Sequence, residues 1–356
     1  MTERRAAGGS HPGRVRVRQL VAKRSGTSPP ARPRDGSPAK TWMATNKIFA
    51  FPSPLHSDGD GDGLQAVVRS ERRRRLSILR NRWDRAVSTL LTRSSNNDEE
   101  AGTAIPKGDG NGAAAWSAAL SATWFDRLVI SHLEPSRAYH TVVHLEEMFG
   151  YADLYLSDST DSVVDSEEDE AIVTLATFFH DAVYDARSAS NEEESAKLFG
   201  SFASEVRRGE ARRGVAAETT DAQVARRHGR IEGRVADCIL ATQSHSVTVS
   251  AEEESDATLL AFFLDADMAV LGKDPRAYDS YCGLIRREYE FVDRDVYCTR
   301  RAEILEGFLA KGDVYGTGIM SRALEERARD NLRREVRMLR GGIIPYEFPN
   351  GKGGET

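Results

Sequence analysis

Apolar positions in this chain recur every three or four residues rather than every second one, and they do so in a sustained way only after about residue 69. Leu76, Leu79, Trp83, Val87, Leu90 and Leu91 share one face and arginines the other, which predicts an amphipathic helix opening near Arg69. Residues 94–115 are polar and glycine-rich and read as a loop. Trp124, Phe125, Leu128, Val129 and Leu133 form a second stripe that Pro135 closes, because proline cannot continue a helix. The segments Ile172 to Asp185 and Thr258 to Met268 are apolar nearly all round, the mark of buried helices. Asn191 with Glu194 three residues later has the form of a capping box, Asp274 and Pro275 pair a cap with a first-position proline, and Thr299 and Ser321 precede further periodic runs. The acidic or arginine-rich stretches 157–170 and 207–230 read as surface loops. No segment alternates with period two between hairpin turns. The prediction is an all-α bundle over residues 69–340, with a flexible tail at 341–356.

Composition changes this picture mainly at the N-terminus. Residues 1–68 are rich in Gly, Pro, Ser and Arg and cannot bury enough surface to offset the entropy of ordering, so they are expected to be disordered and of low complexity. Residues 1–45 carry ten Lys or Arg against Glu3 and Asp35, a local charge of +8 that leaves −14 for the rest. That head fits an organelle transit peptide and an ordinary disordered tail equally well. Within it, Asp58, Asp60, Asp62 and Gly63 imitate the start of a calcium-binding loop, but the twelfth position is Arg69, a cation where a bidentate acid is required. The run Arg72 to Arg75 reads as the solvated face of a helix. The acidic body argues against general nucleic-acid binding, which needs basic surface to displace counterions. No apolar run approaches the roughly 20 residues of a membrane-spanning helix. Cys238, Cys282 and Cys298 show no metal or disulfide spacing and read as reduced, buried thiols. The expectation is a soluble intracellular protein, cytoplasmic or organellar, with no membrane partner; oligomeric state is not legible.

Four places put ligand-type side chains where the surrounding pattern is buried. A helix after Pro135 would set His140 and His144 one turn apart on one face, where they converge on an ion or a substrate, or simply hydrogen-bond as a pair. His180 and Asp181 sit in an apolar segment, where burying both is costly unless they are paired or metal-bound. Asp265 and Asp267, two apart on a helix, point about 200° away from each other. Only one of them faces a shared centre; Asp267 is favoured, leaving Asp265 a structural hydrogen-bonding role. His245 ends another helical run, as a second-metal ligand, a phosphate contact, or a histidine favoured there by the helix dipole.

The order YHTVVH (139–144), FHDAVYD (179–185), NEEESA (191–196), LDADMAVLG (264–272), IRREY (285–289) and AxxNL (328–332) resembles the HD superfamily of metal-dependent phosphohydrolases, and within it a predicted, largely uncharacterised group. The similarity runs from about residue 120 to 338. It implies an HD-domain-like helical bundle in which His144, His180, Asp181 and Asp267 coordinate a divalent cation, with Mn, Mg, Fe, Co, Ni and Zn not distinguishable. The YHxxxH spacing is also similar to the cyclic-nucleotide phosphodiesterase site, where the second histidine is the ligand and the first the proton donor, which gives these roles to His144 and His140. The implied activity is hydrolysis of a small phosphate ester, nucleotides included, with Asp181 orienting water and His140, assisted by His245, protonating the leaving oxygen. Arg137, Arg286, Arg287 and Arg301 are candidate phosphate clamps, since guanidinium matches phosphate geometry. Tyr184 departs from the pattern, standing where many HD enzymes have Glu or Lys; Asp185, one turn beyond Asp181, is a substitute, a ligand for a second ion, or a surface acid. Two other readings stand beside this one: a metal- or nucleotide-binding regulatory protein without turnover, and a helical interaction scaffold whose histidines and acids are satisfied in the core.

Overall fold

The computed structural model describes residues 61–91, 110–158, 166–212, 221–245 and 254–346. Most of the N-terminal head, including Asp58 and Asp60, and the end of the tail lie outside them. Among the described residues the regular structure is helical throughout: α1 (Gly61–Leu91), α2 (Gly110–Ser131), α3 (Val142–Asp158), α4 (Ser166–Phe179), α5 (Asn191–Arg212), α6 (Asp221–Ala241), α7 (Glu254–Asp267), a 3-10 turn (Met268–Gly272), α8 (Pro275–Glu288), α9 (Arg294–Ala310) and α10 (Gly318–Arg340).

The two segments that read as apolar all round form the interior. Every residue from Ala171 to Phe179 in α4 is buried, as is every one from Leu259 to Ala266 in α7. α4 opens with Glu167, Glu168 and Asp169, acids placed at the positive end of the helix dipole. α1, α3, α5 and α6 pack around α4, while α3, α6 and the 3-10 turn contact α7. An aromatic cluster fills the space between them: Trp83 meets Phe178 edge-on at 5.3 Å and Phe202 at 5.3 Å, and Trp124 meets Phe202 at 5.4 Å. α9 lies on α10, and α10 crosses the 3-10 turn closely enough that a Cβ on Gly272 would stand 2.5 Å from Leu324 Cβ. Close approach explains the glycine that ends LDADMAVLG.

Several boundaries differ from those expected. α1 begins at Gly61 rather than near Arg69, and α2 at Gly110, so the end of the 94–115 stretch is helical. The 157–170 and 207–230 segments are not loops throughout, because α4 starts at Ser166, α5 continues to Arg212 and α6 begins at Asp221. Asp274 caps α8 as expected, accepting from the amides of Arg276 and Ala277 behind Pro275. Asn191 does not form a capping box with Glu194: its side chain exchanges two hydrogen bonds with the backbone of Asp185, while Glu194 pairs with Lys197. Thr299 and Ser321 lie inside helices whose caps are Asp293 and Thr317. Beyond α10 the chain stays docked at least to Ile344, which is buried in the core. The three cysteines are buried and form no disulfide with one another. Among the described residues no helix is long and apolar enough to cross a membrane.

Candidate metal centre

Three helices end on one spot. α4 stops at Phe179 and hands the chain to His180 and Asp181; α7 stops at Asp267; α6 stops at Ala241, and the turn after it carries His245. Helix C-termini carry partial negative charge and favour a cation. His144, in the first turn of α3, faces them from the other side.

Their side chains converge. His144 Nε2 and His180 Nε2 are 3.3 Å apart, and His144 Nε2 is 3.1 Å from Asp267 Oδ1. His180 Nε2 lies 3.1 Å from Asp181 Oδ2 and 3.7 Å from Asp267 Oδ1, and Asp267 Oδ2 is 3.2 Å from His245 Nε2. His144, His180 and Asp181 offer ligand atoms within 4.8 Å of one another, and Asp267 meets the same two imidazoles. Donors about 2.1 Å from a shared ion at tetrahedral or octahedral angles sit roughly 3.0–3.4 Å from each other, which is the spacing of most of these pairs. His245 reaches Asp267 from a left-handed backbone, φ +44°, sparsely populated for a residue other than glycine.

The electrostatics also suit a cation. Burial opposes ionisation of Asp181, yet His180 and His140 outweigh it and hold its carboxyl well below the usual range; Asp267 is likewise held low against burial by bonds to His144 and His245. Burial would lower His180, but Asp181 and Asp267 lift it to about 9. Carboxylates that raise a buried imidazole in this way would equally favour a divalent cation at the same place. His180 Nδ1 is 2.9 Å from the Thr177 carbonyl, so Nδ1–H donates there and Nε2 keeps its lone pair for a ligand bond.

Asp265 points away from the cluster. It accepts from the amides of Gly316 and Thr317 and from the Thr317 hydroxyl, fastening the N-terminus of α10. Asp185 is exposed, accepts from the Arg187 amide and shapes the turn before α5.

His140 is not on a helix with His144. Residues 132–141 form turns and α3 starts only at Val142, but the rings still lie 5.9 Å apart. What positions His140 is Glu288, which the pattern of the sequence did not single out. Glu288 Oε2 lies 2.6 Å from His140 Nδ1 and accepts from the Tyr184 hydroxyl at 2.8 Å; Oε1 accepts from the amides of Ala138, Tyr139 and His140. The available signal was its place: an acid in the last turn of α8, where the dipole disfavours negative charge.

The expected phosphate clamps are engaged elsewhere. The buried Arg137 guanidinium donates to the carbonyls of His140, Asp181 and Ala182 at 3.2, 2.6 and 3.2 Å and lies over the Tyr184 ring. It ties the His140 turn to the His180–Asp181 turn instead of facing a substrate. Arg286 donates to the carbonyls of Tyr289 and Val292, Arg301 is paired with the buried Glu335, and Arg287 is exposed. The cluster stays open to solvent at His140, Asp181, Asp267 and His245, whose side chains are 20, 17, 14 and 28% exposed. No family model and no curated protein sequence matches this chain.

Proposed function

We propose that this chain is a metal-dependent phosphohydrolase of the HD type, acting on a small phosphate ester, nucleotides included. The observation that carries the reading is the meeting of His144, His180, Asp181 and Asp267 from separate elements at ligand-to-ligand spacing. These four would hold a divalent cation, which supplies Lewis acidity towards a phosphoryl oxygen and towards water.

The chain's own groups cover the remaining chemistry. The partly exposed Asp181 orients the attacking water and receives its hydrogen bond. His140 stands beside the cluster with Nδ1 committed to Glu288, so Nε2–H is the proton it can give to the departing oxygen. Burial alone would lower His140, but Asp181 and Glu288 outweigh it and raise it above its ordinary value, which favours the protonated form of the donor. His245 bonds to Asp267 and steadies that carboxylate.

The test is hydrolysis of a phosphate-ester panel by the full chain with Mn, Co, Ni, Mg, Fe or Zn. Turnover by wild type that Asp181→Ala abolishes, with the fold intact by circular dichroism, supports the reading. Metal binding with silence across all substrates defeats it. One observation favours a regulatory protein without turnover: Tyr184, where many HD enzymes carry an acid or Lys, donates its hydroxyl to Glu288. Tight retention of an intact nucleotide over hours is the result that second reading requires.

A further inference from the structure

A line of aromatic side chains leads outward from His140. The Tyr184 ring lies over the His140 ring, centroids 4.4 Å apart, and Tyr289 contacts Tyr184 through its hydroxyl. Tyr289 in turn stacks on Phe291 at 6.0 Å and 27°, and Phe291 is 42% exposed. The guanidinium carbon of Arg187 sits 4.0 Å from the centre of that exposed ring. A wall therefore runs from the proton donor to solvent and ends in a cation.

Arg187 differs from the arginines that sequence reasoning favoured. Arg137, Arg286 and Arg301 spend their donors on carbonyls or on Glu335, whereas no described residue accepts a hydrogen bond from the Arg187 side chain. Its backbone is fixed, with the amide donating to Asp185 Oδ1 at 2.9 Å in the turn that Asn191 closes. A guanidinium held over an aromatic face keeps its N–H fork available at the edges, and the contact restricts its rotamers before any ligand arrives.

We propose that Arg187, steadied by Phe291, is a specificity-determining contact for an anionic group on the departing half of the substrate. The inference rests on the hydrolase reading, with His140 as proton donor. A proton delivered to the leaving oxygen places the departing half next to His140, the residue from which Tyr184, Tyr289 and Phe291 lead to Arg187. The substrate class is then a phosphate ester whose departing half carries a second oxyanion, a carboxylate or a phosphate.

The experiment uses the full chain loaded with Mn(II) and non-hydrolysable ligands in titration calorimetry. Plain alkylphosphonates of increasing length are compared with ω-carboxyalkylphosphonates and α,ω-bisphosphonates of the same lengths. At the length that spans the wall, the terminal anion should tighten binding about tenfold, as a charge-assisted contact does. Arg187→Ala should reduce that gain to about twofold or less, and Phe291→Ala should reduce it in part, as loss of a pre-positioned fork predicts. Affinities for Mn and for the plain alkylphosphonates should not change. Arg300→Ala, an exposed arginine paired with Glu303, should keep the full gain. Whichever terminal group gives the larger gain identifies the anion. The inference is overturned if no terminal anion improves binding at any length, or if the gain survives Arg187→Ala. Failure of wild type to bind Mn or any phosphonate overturns the hydrolase reading as well, and is told apart because it affects uncharged tails equally.

Discussion

Glu288 holds both the backbone and the ring of His140: one carboxylate oxygen accepts three successive amides and the other lies 2.6 Å from the imidazole Nδ1. The turn carrying His140 is thereby anchored to the end of α8, across a sequence separation of 148 residues. A buried carboxylate with this many donors is stable only while all are present, since each lost partner leaves a desolvated group behind.

Replacing Glu288 by Gln should therefore show in stability with a defined pH dependence. Burial pushes Glu288 up, but hydrogen bonds from His140 and the amides prevail and hold it at about 2 against an ordinary 4.5. A depressed carboxylate contributes stability above its unfolded value and loses it as pH falls towards its folded one, so the wild type should weaken between pH 4.5 and 2. The deficit of Glu288→Gln should be about 3 kcal/mol near neutrality and should close across that window. On the alkaline side His140, raised above 6.5, contributes stability below that value and loses it as pH rises through its folded pKa. Urea unfolding at a series of pH values reads both limbs; a deficit independent of pH would refute the coupling.

Metal should stabilise the folded chain and a chelator should reverse it. An ion that binds the native state alone adds about 2.7 kcal/mol at a hundred times its dissociation constant. Thermal unfolding with Mn or Zn, then with EDTA, should show a rise and a return in wild type and neither in Asp267→Asn, which removes the carboxylate shared by His144, His180 and His245. Equal shifts in both proteins would place the ion elsewhere.

The helical fold was legible because its apolar period is carried locally, and the bulk of α4 and α7 stood out as helices with no polar face. The 200° between residues two apart implied that one of the two acids faces away without saying which; Asp267 is the one that joins the histidines and Asp265 the one that fastens α10. Boundaries were less legible, because distant partners set them. Residues 135–141 form turns because Glu288 satisfies their amides from far along the chain while Arg137 serves the His140 carbonyl locally. Asn191 gave up a local cap for the backbone of Asp185. Arginines were the hardest to place: a long side chain reaches carbonyls or carboxylates that the sequence leaves unspecified, as Arg137, Arg286 and Arg301 do.

Gly272 should tolerate no side chain. A Cβ there would meet Leu324 Cβ at 2.5 Å and the Tyr315 hydroxyl at 3.0 Å, and neither the α10 backbone nor Leu324 Cβ can step aside as a flexible tip would. Overpacking of this kind typically costs 1–3 kcal/mol, so Gly272→Ala should lower the urea midpoint by about that amount without changing the slope. Gly307→Ala, where a Cβ meets nothing within 4 Å, should be neutral or slightly stabilising in the same assay.

Arg137 should matter for both folding and metal affinity, because its guanidinium serves the turns on both sides of the centre. Its carbonyl partners include Asp181, one of the proposed ligands, and Ala182 beside it. Lysine keeps the charge but lacks the planar fork, so it cannot serve the His140 turn and the Asp181–Ala182 turn together. Buried carbonyls would be left unpaired, at a cost of about 1–3 kcal/mol each. Arg137→Lys should therefore unfold at lower urea. It should also bind Mn some 10–100-fold more weakly, the usual penalty for losing a group that orients a metal's ligands. Arg137→Met separates the two contributions: it removes the buried charge together with the fork, so folding should recover relative to Lys if desolvation dominates, while Mn affinity should stay low. Unchanged Mn affinity in both variants would mean that the His180–Asp181 turn holds its shape without the guanidinium, and the brace assigned to Arg137 would be wrong.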